Sequence, residues 1–89
     1  MKLKKGFKLK VVSGEYTVVP DRRINKSFTN LIVFNDTAVF LWNLISEREV
    51  TKQEMLEALL EEFDISTVLA LGNIDVFVKT LKENEIIEE

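Results

Sequence analysis

The sequence predicts an α+β fold, a three-stranded antiparallel sheet followed by three helices, and three observations carry that expectation. Early in the chain, apolar and polar residues alternate with the period of two of a half-buried strand: Phe7, Leu9 and Val11 on one side, Lys8 and Lys10 on the other. Later, apolar residues recur at the three- and four-residue spacing of amphipathic helices. Thr51-Lys52-Gln53-Glu54 matches the capping box, in which a threonine hydroxyl and a glutamate carboxylate each satisfy the other's backbone N–H, and so fixes one helix start.

Taken in order, a first strand runs from about Phe7 to Val12. Ser13-Gly14 links it to a second, Glu15 to Val19, ended by Pro20; a two-residue link containing glycine between β formers signals an antiparallel hairpin. The segment from Pro20 to Ser27 is polar and reads as a solvated, mobile loop. Phe28 to Phe34, with the run Leu31-Ile32-Val33-Phe34, reads as a third strand. Asn35 or Asp36 then offers an N-cap to a helix whose Ala38, Val39, Phe40, Leu41, Trp42, Leu44 and Ile45 are apolar around almost the whole circumference, so it belongs at the centre. The Thr51-initiated helix sets Leu56, Leu59, Leu60 and Phe63 against Gln53, Glu57 and Glu61. A third helix, capped near Ser66, runs to about Asn84 with Ala70, Ile74, Phe77 and Leu81 facing inward, after which Ile86 and Ile87 return to the core.

Composition narrows the function. With 89 residues, 46% hydrophobic and 30% charged, the chain is expected to be one globular domain, residues 1–89, able to fold alone. It has neither cysteine nor histidine, which removes thiol nucleophiles, zinc sites and the usual general base. The expectation is therefore a non-enzyme, with no catalytic residue, no cofactor and no metal. Glu54, Glu57, Glu61 and Glu62 read as the polar face of the second helix and not as a metal cluster, and Trp42 reads as core and not as a stacking platform. No apolar run is long enough to span a bilayer and the first ten residues alternate, so a cytoplasmic location without membrane attachment is expected. A formal net charge of −3 argues against nucleic acid as a partner.

Glu15-Tyr16-Thr17-Val18-Val19-Pro20, the junction Leu31-Ile32-Val33-Phe34-Asn35-Asp36-Thr37-Ala38-Val39-Phe40-Leu41-Trp42, the Thr51-initiated helix and Ile74-Asp75-Val76-Phe77-Val78 together resemble the coenzyme PQQ synthesis protein D (PqqD-like) family, from about Gly6 to Ile87. The resemblance implies a winged helix-turn-helix. It also implies that the chain binds the leader segment of a ribosomally synthesised precursor peptide by strand addition, in which main-chain hydrogen bonds give affinity and pockets for alternate side chains give specificity. The peptide would then be presented to a separate modifying enzyme, of the radical S-adenosylmethionine type. Carried onto this chain, the pairing edge is Thr29, Asn30, Leu31, Ile32 and Val33. If Ile74, Phe77 and Leu81 face the core, Leu71, Asp75, Val78 and Lys82 lie about 100° around the third helix and would line the groove wall; the alternative for Asp75 and Lys82 is simple solvation.

The chain departs from the family pattern in the apolar turn Val68, Leu69 and Leu71 with Gly72 after it, and in Asp36 and Ala38 at the junction. Two other functions stay open. A DNA-binding winged-helix regulator would need cations on its recognition helix, where only Lys79 and Lys82 oppose Asp75 and Glu83. A scaffold subunit without peptide binding would use Val68, Leu69 and Leu71 as its interface. An open sheet edge also allows self-pairing in a homodimer. Lys2, Lys4, Lys5, Lys8 and Lys10, with Arg22, Arg23 and Lys26, form a basic region, read as a solvated edge that discourages aggregation or as a contact for an acidic partner.

Overall fold

A computed structural model describes residues 1–88. Its elements are β1 (Lys2–Leu3), β2 (Phe7–Val12), β3 (Glu15–Pro20), β4 (Val33–Phe34), α1 (Asp36–Glu47), α2 (Lys52–Glu62), α3 (Thr67–Glu83) and β5 (Ile87–Glu88). The expected α+β arrangement is present: β2, β3 and β4 form a three-stranded antiparallel sheet in that order, and three helices follow. A second ribbon pairs β1 with β5, Leu3 opposite Ile87. The sequence carried no sign of it, because two-residue strands have no readable period and their pairing is non-local.

The β2–β3 register runs from Phe7 opposite Pro20 to Val12 opposite Glu15, leaving Ser13 and Gly14 as the loop. Both have positive φ, 52° and 80°, which matches the right-handed twist of the strands as a primed turn does. The following loop is tethered instead of loose. The Asp21 N–H donates to the Gly6 carbonyl at 2.7 Å, the Asn25 side-chain amide donates to the same oxygen at 2.9 Å, and the Arg22 guanidinium donates to the Phe28 carbonyl at 2.6 Å.

These tethers explain why β4 is shorter than the sequence predicts. Phe28 turns inward to meet Phe7 edge-on at 5.2 Å, and the Asn30 amide donates to the Asn84 side chain at the end of α3. Thr29 and Asn30 are thereby drawn out of the ladder. The strand is Val33 and Phe34, opposite Thr17 and Tyr16, although the Ile32 carbonyl still accepts from the Val18 N–H at 3.0 Å.

Asn35 caps α1, its side chain accepting from the Ala38 N–H at 3.0 Å. Leu41, Trp42 and Ile45 of α1 are buried, Trp42 at 4% exposure, so the tryptophan is core as expected. Phe34 links sheet to helices by meeting both Trp42 and Phe77, ring centroids 5.7 and 5.6 Å apart. In α2 the inward stripe is Met55 and Leu59; Leu60, expected inside, is exposed, because the burial axis lies one residue earlier on the helix. The inward face of α3 is Ala70, Ile74, Phe77 and Leu81, as the spacing predicted, and Ile86 and Ile87 close the core.

The capping box at Thr51 is complete, and the Glu54 carboxylate also pairs with Arg48 at 2.7 Å. The Thr51 backbone N–H, and secondarily the Arg48 guanidinium, hold the Glu54 carboxyl below its ordinary value of 4.5. A carboxyl whose folded pKa is depressed stabilises the fold above its unfolded pKa and loses that contribution as pH falls through the folded pKa. Stability should therefore decline as pH drops below about 4.5. A Glu54→Gln variant should show a flatter decline in Tm across that range while starting from a lower Tm at neutral pH.

The end of α3 is a Schellman motif: the Ile86 N–H donates to the Leu81 carbonyl at 2.9 Å and the Glu85 N–H to the Lys82 carbonyl at 3.1 Å. Glu85 sits at the left-handed position, φ 56°, which favours glycine. Glu85→Gly is expected to raise the free energy of unfolding by up to about 1 kcal/mol, read as a higher urea midpoint at unchanged slope.

Candidate functional site: a groove beside an open sheet edge

Among the described residues β4 is an edge strand, with β3 on one side and no strand on the other. In an antiparallel pair, residues alternate between bonding the partner strand and pointing their N–H and C=O away from it. Ile32 bonds β3, so the main-chain groups of Val33 turn toward the open side. Continuing the alternation, those of Leu31 do the same.

Beside that edge lies a groove of about 240 Å³. Ile32, Val33 and Phe34 form its strand wall, Asn73, Val76, Phe77 and Thr80 its helix wall, and Asn35, Thr37 and Ala38 one end. Phe77, nearly fully buried, supports it from the core side, while Val76 stands 67% exposed above it. At the other end the Asn30–Asn84 hydrogen bond spans strand segment and helix, and Asn84 is itself held by donating to the Thr80 carbonyl at 2.8 Å. No lining side chain is ionisable. Thr37, Thr80, Asn35 and Asn73 offer hydrogen bonds, and the rest is apolar, which suits binding through main-chain pairing and buried side chains.

Of the site residues expected from sequence, the structure brings Ile32 and Val33 to this groove, with Leu31 on the same edge, 80% exposed. Thr29 and Asn30 lie outside the strand, for the reasons given above. The helix wall differs from expectation. Asp75, Val78 and Lys82 line a separate depression on the opposite flank of α3, together with Met1, Lys52, Lys79 and Glu83, and Asp75 pairs with Lys52 of α2 at 2.6 Å. Leu71 precedes Asp75 by one helical turn, on that same flank. The core stripe left two flanks to choose from, and the strand lies beside the other one: Asn73, Val76 and Thr80. The signal that would have found them is Val76, an apolar residue off the core stripe, followed four residues later by Thr80.

Among the described residues no group of acidic, cysteine or histidine side chains could hold a metal ion, and no helix is long and apolar enough to cross a membrane. In α2, Glu54 serves the capping box and Glu57 accepts from Gln53 at 3.1 Å.

Fold and groove together define a small α+β module in which the β4 edge of the sheet lies beside a neutral cleft. The chain belongs to the coenzyme PQQ synthesis protein D (PqqD) family, whose model matches residues 15–87. Comparison with curated proteins and with solved structures gives no match. Membership implies a part in biosynthesis of the PQQ type from a precursor peptide, as a small accessory protein that acts with a modifying enzyme.

Proposed function

We propose that this chain is a non-catalytic recognition module that binds the leader segment of a ribosomally synthesised precursor peptide as an added strand on β4, and presents it to a separate modifying enzyme of the radical S-adenosylmethionine type. The observation that carries the reading is the outward-turned main chain of Val33 beside a neutral groove built by Val76, Phe77 and Thr80. A peptide strand there gains main-chain hydrogen bonds from the edge and directs alternate side chains toward α3. The whole chain is taken as one winged-helix domain, α2 and α3 forming its helix-turn-helix, working in the cytoplasm. The DNA-binding alternative is disfavoured by α3 itself, since its Asp75 is already paired with Lys52 and Glu83 adds a further negative charge.

The test is an amide-resolved NMR titration of labelled protein with synthetic leader segments from its own gene cluster, with a DNA duplex as control. Shifts gathered at Ile32–Phe34 and Asn73–Thr80 on adding peptide support the reading. Silence toward every leader, or a response to the duplex, overturns it.

A further inference from the structure

Charge in this chain is strongly segregated. Residues 1–26 carry eight Lys and Arg against two acidic residues, a net of +6, whereas residues 27–89 carry four against thirteen, a net of −9. The fold turns part of the basic share into a surface. Because residues opposite each other in a sheet point to the same side, Lys10, Thr17 and Val33 form one row across the three strands. Lys8 and Val19 form the next, and continuing the register past the Val18–Ile32 bond places Leu31 on the same side. This face is turned away from the core residues Leu9, Val18, Ile32 and Phe34, and Lys8, Lys10, Leu31 and Val33 are all exposed on it. Arg22 lies at its edge, lining a depression with Lys8. The face therefore grades from basic on β2 to apolar on β4, and it ends at the very edge where a peptide would add.

We infer that this outer face of the sheet, centred on Lys8, Lys10, Leu31 and Val33, is the docking surface for the modifying enzyme, whose matching surface is acidic with an apolar margin. The inference rests on the peptide-presenting function proposed above. Opposite charge steers encounter and orients the pair, and burial of Leu31 and Val33 holds it. A strand added to β4 would extend the same face by one row, since alternate side chains of that strand point away from α3. The enzyme would then touch carrier and leader at once, which couples docking to cargo.

The experiment uses the full chain and the purified modifying enzyme from the same gene cluster, with binding read by surface plasmon resonance and leader binding measured separately. Lys8→Glu/Lys10→Glu reverses two exposed charges outside the groove. Expected is a loss of enzyme affinity of about tenfold or more, mostly in the association rate, with leader affinity unchanged. Leu31→Ser, which keeps the charges, should weaken the enzyme complex through faster dissociation. Enzyme affinity unchanged in both variants, with leader binding intact in the lysine variant, overturns this inference and leaves peptide recognition standing; failure of the unaltered protein to bind any leader overturns the function beneath it. Equal, charge-dependent binding to vesicles containing anionic lipid or to a DNA duplex would also overturn it, by making the face a general polyanion site.

Discussion

Val33→Pro should abolish leader binding while leaving the fold intact. Proline deletes the N–H that Val33 turns to the open side and places its ring where an added strand would approach. The same change costs the fold little, because that N–H bonds no neighbour in β3 and Val33 is 45% exposed on an edge strand, where proline is tolerated. With main-chain bonds worth about 1 kcal/mol each and a steric clash added, affinity should fall by at least about thirtyfold. Calorimetric titration with a leader peptide, beside circular dichroism and a thermal melt, reads both halves of the expectation. Unaltered affinity in the folded variant would remove β4 as the pairing edge. Ile32→Pro makes the contrast: Ile32 is buried in the core, so exchanging its side chain for a proline ring removes core packing, and that variant should lose stability along with its ligand.

Phe77→Ala should have the largest effect on stability. Phe77 is nearly fully buried, meets Phe34 at 5.6 Å, and joins α3 to the sheet beneath the groove. Truncating a buried phenylalanine costs about 3–5 kcal/mol, through lost transfer energy and an unfilled cavity. A chain of this size has only ~4–13 kcal/mol in total. The variant should therefore show a urea midpoint far below the parent's, and weak leader binding even where it remains folded. A small shift in midpoint would mean that the groove collapses onto the space and that Phe77 does not set its depth.

Much of the fold was legible because it is local. The Ser13-Gly14 turn, the Thr51 capping box and the inward stripe of α3 each follow from chemistry within a few residues, and each is present. What was not legible depends on contacts far apart in sequence. Asn30 meeting Asn84 cannot be read from either residue's neighbours, yet it accompanies the late start of the third strand. The candidate site divided along the same line. The strand edge followed from the apolar run ending at Phe34, whereas the choice between two flanks of α3 turned on which side the sheet approaches, and only tertiary packing fixes that.

The Asn30–Asn84 bond gives the groove two unlike ends. Strand segment and helix are joined beyond Ile32 and Thr80, whereas Asn35, Thr37 and Ala38 line the opposite end. Were a peptide seated on β4 to leave past Asn35 and the start of α1, the fold would fix its exit. A tail emerging at one fixed exit gives a partner enzyme a known starting point for its reach, so the length of chain between the seated segment and the modified residue would act as a ruler.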